Sequence, residues 1–300
     1  MYQSILVPLD GSRLAEGVLP YVENLARGLK CPVTLLHVAD PAMERRDPAH
    51  TVTIEQVIQR VETLAKDYLR SIAKRLEKAG VKADGTVLLG HAYEQILRYA
   101  EEHQMGLIAM STHARAGLER WVMGSVTTRV MTSARIPLLL FHPLEKGAPP
   151  KVQLTKVIVP LDGSPLGEAI LAHVENLASR LDLEVILVQT LPVGEDIYLG
   201  AEAWSYPVDL IKQFDLDASG YLTRIGKDLS RKGFKVNWDL LHGRPADEII
   251  ALARRTPDNL VAMSTRGRSG AARWALGSVA DQVARSCGDP VLLVRPPETR

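Results

Sequence analysis

The chain is written twice. Ile5-Leu-Val-Pro-Leu-Asp-Gly-Ser12 returns as Val157-Ile-Val-Pro-Leu-Asp-Gly-Ser164, and Val22-Glu-Asn-Leu-Ala26 as Val174-Glu-Asn-Leu-Ala178, both at an offset of 152 (157 − 5 and 174 − 22). Gly80 and Gly233, Gly90 and Gly243, Gly124 and Gly277, and Pro137 and Pro290 pair at 153, so one inserted residue keeps the halves in register. A period this long is well beyond the roughly 20–50 residues of solenoids and propellers. It reads as a duplicated domain, and 300 residues is an ordinary length for two. The expected organisation is a first domain over 1–142, a linker over 143–155 and a second domain over 156–300. The linker contains Gly147-Ala-Pro-Pro150, too polar and Pro-rich to pack.

Within each half, strand and helix patterns alternate. Residues 4–9 form an apolar run closed by Asp-Gly-Ser, as suits a buried parallel strand. Helix 1 follows, and in the second half Ser164-Pro165 supplies an N-cap and a first-turn proline. Pro32 to Val38 is the second strand. The polar stretch Asp40 to His50 leads into a long helix whose Val57, Val61, Leu64, Tyr68, Ile72 and Leu76 recur at three and four, predicting one buried stripe. Gly80 closes it. Strand 3 (81–89), helix 3 (92–103), strand 4 (106–110), helix 4 (124–134) and strand 5 (137–141) complete the half, and the second half repeats the series from Lys156 to Val294. Five strands alternating with four helices predict an α/β, doubly wound parallel sheet in each domain. Ligands bind such sheets outside the carboxyl ends of the strands, where the strand order reverses. If strand 1 lies beside strand 4, the loops after both face one crevice.

Composition narrows the classes. Hydrophobic residues make up 46% of the chain, enough for two cores. A net charge of +1 leaves no electrostatic footprint for nucleic acid or a membrane surface. Two cysteines, Cys31 and Cys287, stand at non-equivalent places, which disfavours a disulfide framework and favours a reducing, cytoplasmic setting. Both read as packing residues, Cys287 on helix 4. The first residues lack a basic and apolar leader, and no apolar run approaches the roughly 18 residues of a membrane span.

The chemistry gathers in the loop after strand 4. Ser111-Thr-His-Ala-Arg-Ala-Gly-Leu-Glu-Arg-Trp-Val-Met-Gly124-Ser125-Val126 is matched by Ser264-Thr-Arg-Gly-Arg-Ser-Gly-Ala-Ala-Arg-Trp-Ala-Leu-Gly277-Ser278-Val279. A strand, a small-residue loop and a helix N-terminus together present backbone N–H groups to an anion. The Ser125 or Ser278 hydroxyl and Arg115 or Arg268 would add donors and charge. A tight connection needing small residues is the other reading, and the recurrence of Gly-Ser weighs against it. Asp10 and Asp162, after strand 1, could accept hydrogen bonds from ribose hydroxyls or help hold a metal; the alternative is an Asp favoured by a helix macrodipole. His113 is replaced by Arg266, which argues against a shared acid–base role, and a loop residue near phosphate is expected. Trp121 and Trp274 read as loop anchors or interface residues. Neither G-x-G-x-x-G nor G-x-x-x-x-G-K-[ST] occurs, which rules out a dinucleotide fingerprint and a P-loop. No Ser-His-Asp set, paired carboxylates or metal-ligand cluster recurs in both halves, so no catalytic engine is visible.

Each half resembles a universal stress protein domain, and the whole chain resembles the tandem type. The family pattern is G-x2-G-x9-G-[ST] with strand 1 ending in Pro-x-Asp. The second half reads Ser264-x2-Gly267-x9-Gly277-Ser278 with Pro160-Leu-Asp162, the first Ser111-x2-Ala114-x9-Gly124-Ser125 with Pro8-Leu-Asp10. The resemblance implies Rossmann-like, adenine nucleotide alpha hydrolase-like domains of strand order 3-2-1-4-5 that bind ATP, with or without Mg2+. It places Asp near ribose, the residue ending strand 2 near adenine and the strand 4 loop around the phosphates. Those positions are Asp10, Val38, Met110, Ser111, Gly124 and Ser125, with His113, Arg115 and Val126 beside them. In the second half they are Asp162, Thr190, Met263, Ser264, Gly267, Gly277 and Ser278, with Arg266, Arg268 and Val279 beside them. Ser stands for the first glycine in both halves, and Ala114 for the second glycine in the first half. If that position needs φ > 0 or a close approach, a Cβ there costs roughly 1 kcal/mol or more, or blocks the phosphate. The expected function is ATP binding in stress response, without catalysis or with very slow hydrolysis, and with the second site more intact. A weak ATPase and an interaction protein without nucleotide are the alternatives. The apolar fifth strands, Leu138-Leu-Leu-Phe141 and Val291-Leu-Leu-Val294, are expected to pair within the chain, and a homodimer is the other assembly that such edges allow.

Overall fold

The computed structural model describes residues 1–40, 53–112, 123–142, 152–191, 208–267 and 276–297. The chain divides into two compact units, Met1–Val152 and Gln153–Arg300.

In the first unit the strands are β1 (Ile5–Pro8), β2 (Val33–Ala39), β3 (Ala83–Leu89), β4 (Leu107–Ser111) and β5 (Leu138–Phe141). The helices are α1 (Leu19–Leu29), α2 (Ile54–Lys78), α3 (Ala92–Glu102) and α4 (Ser125–Ser133). The second unit repeats them as β6 (Lys156–Pro160), α5 (Pro165–Glu168), α6 (Leu171–Leu181), β7 (Glu184–Leu191), α7 (Val208–Arg231), β8 (Val236–His242), α8 (Pro245–Arg255), β9 (Asn259–Ser264), α9 (Ser278–Ser286) and β10 (Val291–Val294). Each unit carries the expected parallel sheet, in the order β3-β2-β1-β4-β5 and β8-β7-β6-β9-β10. The central strands are apolar throughout because helices cover both faces: Ile5, Leu6, Val7, Val157, Ile158 and Val159 are all fully buried. The first strand lies beside the fourth in each copy, through Ile5 opposite Leu107 and Val157 opposite Leu260.

Helix 1 departs from expectation. It is broken in both copies, into a 3-10 turn at Ala15–Val18 before α1 and into α5 before α6. Ser164 caps α5 as its sequence predicts, accepting Gly167 N at 3.0 Å, with Pro165 in the first turn. The long helix α2 opens on a capping box between Thr53 and Gln56. It closes on Gly80, at φ +83°, with Gly80 N bonded to Glu77 O and Val81 N to Leu76 O. Its stripe is rotated from the expected one. Leu64 is 62% exposed, while Ala65, Leu69, Ile72, Ala73 and Leu76 are buried. At 3.6 residues per turn Leu64 stands about 120° from the centre of that set. Spacing of three or four fits both flanks of a stripe, so it leaves the phase open.

The inserted residue between the copies disturbs no strand. Val38 stands opposite Leu88 and, in the second unit, Thr190 opposite Leu241, which are equivalent pairs across the change of offset. A one-residue slip inside a strand would turn every later side chain to the other face, so the insertion falls between the elements. Leu154, assigned to the linker by the composition around it, is buried, and Thr155 N donates to Asp258 O at 2.9 Å. Cys31 and Cys287 are buried and free. Cys287 sits just past α9 rather than on it, and burial raises its thiol to about 11. No helix among the described residues is long and apolar enough to cross a membrane.

Candidate functional site

The second unit holds a crevice of about 360 Å³ at the carboxyl ends of its strands, where the strand order reverses between β6 and β9. Five segments meet there. Asp162 comes from the loop after β6. Val188 and Thr190 come from β7, and Pro245 and Ile249 from the start of α8. Met263 and Ser264 end β9 and Thr265, Arg266 and Gly267 follow it, while Gly277, Ser278, Val279 and Ala280 open α9. Every residue that the sequence assigns to this site lines the crevice except Arg268, which lies outside the described residues, as does Trp274.

Each wall has a local cause. The loop after β6 turns at Gly163, φ +79°, and folds Asp162 back on itself: Ser164 N and Ser164 Oγ both donate to Asp162 Oδ1, at 3.0 and 2.6 Å. The opening of α9 is capped by Gly277, which offers no side-chain acceptor, so the first-turn N–H groups beside the crevice gain no bond from a cap side chain. Gly277 N donates to Thr265 O at 2.8 Å, holding the helix start against the strand end. A Cβ at Gly277 would sit 3.1 Å from that same oxygen. Ser278 is the first helical residue and exposed, so its hydroxyl is not the cap. Arg266 Nη2 donates to Pro296 O at 3.4 Å, and Arg266 N to Ser264 Oγ at 3.5 Å.

Gly267 is a glycine for a different reason from backbone strain. Its φ is not in the left-handed region, but a Cβ on it would overlap Asp162 Oδ2. Close approach of the carboxylate, rather than φ > 0, is what the position requires. Behind the loop, Tyr221 lies near Glu168 and Asp162. Burial first, then those two carboxylates, push its phenol far above the ordinary tyrosine range, so it stays protonated, and its hydroxyl makes no hydrogen bond among the described residues. Tyr68 is likewise raised in the first unit, where it does donate, to Glu16 Oε1 at 3.3 Å.

The first unit places its candidate residues on the equivalent elements. Val38 is half-buried on β2, and Met110 and Ser111 are buried on β4. Gly124 caps α4 without a side-chain bond and donates to Thr112 O at 2.9 Å, with Ser125 exposed and Val126 half-buried behind it. Ser111 Oγ donates to Leu14 O at 2.8 Å, so this hydroxyl ties the strand end to the loop after β1. Asp10 is exposed and accepts from Ser12 N at 2.9 Å. His113, Ala114, Arg115 and Trp121 lie outside the described residues. Sequence reasoning missed Gly167, Val188, Pro245, Ile249 and Thr265 of the second crevice. Gly167 stands out only when the copies are aligned, where it faces Ala15.

The universal stress protein family model matches residues 1–142 and again 153–295. The chain belongs to the universal stress protein family. A universal stress protein of Methanocaldococcus jannaschii is 33% identical over 144 residues, covering 48% of this chain and 83% of that protein. One from Mycolicibacterium smegmatis is 23% identical over 297 residues, 97% of each chain, so the two-domain arrangement recurs along its whole length. The crystal structure of a universal stress protein from Archaeoglobus fulgidus superposes with a TM-score of 0.73 over 98% of this chain and 99% of that one. At 19% identity that likeness concerns the fold.

Proposed function

We propose that the second unit binds an adenine nucleotide, ATP with or without Mg2+, and that the protein acts in stress response by binding rather than by turnover. The observation that carries this reading is the pairing of Asp162 with the open N-terminus of α9 across one crevice. The donor set fits the three parts of such a ligand. First-turn N–H groups and a helix dipole suit phosphate oxygens. A carboxylate suits sugar hydroxyls as their acceptor. The apolar slot formed by Val188, Pro245 and Ile249, with the Thr190 hydroxyl at its edge, suits a flat heteroaromatic ring. When bound, the nucleotide would supply the phosphate charge, and this chain would orient it and shield it from water.

Among the described lining residues the charged side chains are Asp162 and Arg266. Neither forms part of a placed base or a lysine clamp of the kind that fast phosphoryl transfer uses, which supports slow hydrolysis at most. We place the protein in the cytoplasm, on its two buried free thiols and near-zero charge. On their apolar sequences alone, we propose that β5 and β10 pair within the chain. Leu139→Lys with Leu292→Lys should then raise protease cleavage between 143 and 155, and unchanged cleavage would discard the pairing.

The test of the nucleotide reading is direct. Gently purified and dialysed protein is denatured, and the released small molecules are identified. Adenine nucleotide near one equivalent per chain is the expected result. Its absence, together with no heat on titration with ATP, would leave the interaction-protein alternative standing. A phosphate-release time course on the same sample separates slow hydrolysis from none.

A further inference from the structure

Asp162 rests against two glycines from different parts of the chain. A Cβ on Gly167, in α5, would lie 2.5 Å from Asp162 Oδ1 and 3.3 Å from Ser164 Oγ. A Cβ on Gly267, after β9, would overlap Asp162 Oδ2. Each carboxylate oxygen therefore occupies space that any other residue at one of these positions would claim. Ser164, through its N–H and its hydroxyl, holds the carboxylate in that notch.

The first unit has both glycines replaced. Ala15 stands at the place of Gly167 and is buried, and Ala114 stands at the place of Gly267. The backbone bonds of the Asp-Gly-Ser turn are shared, but the Ser164 hydroxyl also donates to Asp162 Oδ1, and Ser12 makes no such bond to Asp10. Ser12 N donates to Asp10 Oδ1 at 2.9 Å and Ala15 N to Ser12 Oγ at 3.1 Å, matching the bonds around Asp162 and Ser164. Even so, Asp10 is exposed whereas Asp162 is part-buried and lines the crevice. The backbone of the turn is shared between the two copies, and the burial of the carboxylate is not.

We infer that Gly167 is a positioning residue: with Gly267 it seats the Asp162 carboxylate in the crevice, and this seating gives the second unit its discrimination for a ligand with vicinal sugar hydroxyls. The inference rests on the nucleotide reading above and adds to it which atoms set the sugar preference. Gly167 touches no ligand in this account. It acts through the carboxylate, whose counterpart Asp10 in the first unit is exposed.

The test uses the full chain and titration calorimetry with two probes, ATP and 2′,3′-dideoxy-ATP. Wild type should prefer ATP by about tenfold or more, the typical range for hydrogen bonds to a charged acceptor. Gly167→Ala should lower ATP affinity by about tenfold and leave dideoxy-ATP within about twofold, so that the preference collapses. In an Asp162→Ala background the same substitution should change ATP affinity by less than about twofold, because the group it acts through is gone. Equal losses for both probes, or an undiminished effect of Gly167→Ala without the carboxylate, would show a merely structural role and overturn the inference. If Gly167→Ala fails to fold, Asp162→Ala alone decides: an undiminished ATP preference overturns the inference and a lost one supports it. If wild type binds both probes equally, the nucleotide reading stands and the seating inference falls. If wild type binds neither, the nucleotide reading itself falls and takes this inference with it.

Discussion

The two copies have diverged in opposite ways at the two ends of the sheet. At the outer edge the first unit packs Gly85 of β3 beneath α2, where a Cβ would meet Leu69 Cβ at 2.8 Å, and carries the methyl of Ala73 on the helix. The second unit has Trp238 in place of Gly85 and Gly226 in place of Ala73, with the indole Cδ1 3.7 Å from where a Cβ on Gly226 would stand. The strand has gained a 42% exposed indole where the helix beside it has given up one methyl. At the crevice, Gly167 and Gly267, which both abut the Asp162 carboxylate, are matched in sequence by Ala15 and Ala114. On the reading proposed here, the second unit is therefore expected to bind nucleotide more tightly than the first.

The comparison can be broken most forcefully at the outer edge. Gly85→Trp should destabilise the first unit by about 3 kcal/mol, the upper range for overpacking, in chemical denaturation of the full chain. Adding Ala73→Gly should recover part of the loss. No recovery would mean that the two exchanges are independent. Next in size, Gly267→Ala should weaken ATP binding by about 2 kcal/mol, roughly thirtyfold, as read by calorimetry. With the second site weakened in this way, Ala15→Gly and Ala114→Gly together should strengthen residual binding by the first unit. If the double change gains nothing, the loss in the first unit lies elsewhere. Ser278→Ala should cost about 1 kcal/mol of ATP affinity, the net worth of one hydrogen bond, since the hydroxyl is free of capping duty. An unchanged affinity would show that it faces away from the ligand.

The smallest effect concerns Asp289, which stands where the first unit has Ile136. Burial raises its carboxyl above the usual carboxylate range, against the lowering influence of Asn259 and Arg254. A group whose pKa is raised by folding stabilises the fold when protonated, and loses that contribution as the pH rises through its folded pKa. Asp289→Asn should therefore match wild type in melting temperature at acidic pH and exceed it slightly at pH 7. An equal difference at both pH values would remove burial as the cause.

Much of this was legible in the sequence because duplication makes spacing speak twice. The strands and the Ser164 cap could be read from repeated runs and turn chemistry, while the strand order and the second-unit site residues that line the crevice were expected from the family resemblance. Three things could not. The phase of α2 is undetermined by three-and-four spacing, which is why Leu64 was expected inside and lies outside. Pro245 and Ile249 reach the crevice from a helix whose sequence marks only its own buried face. Gly167 looks like an ordinary small residue in a turn until the position of the Asp162 oxygens shows what it makes room for.

The glycine at the head of α9 has a consequence for the protein as a cellular component. Long helix α2 closes its own N-terminus with Thr53 and Gln56, and α5 does so with Ser164, whereas α4 and α9 begin on Gly124 and Gly277 and have no side-chain acceptor at the cap. A bound anion would supply to α9 what the chain has left out, and would act as the helix's missing first residue. The free energy of binding would then be counted in the lifetime of the fold, since a ligand held only by the native state stabilises it in proportion to the logarithm of its concentration. On the reading proposed here, the amide protons of the first turn of α9 should exchange faster as nucleotide is depleted. The abundance of the protein would follow the nucleotide pool through its rate of turnover, with no change in its synthesis.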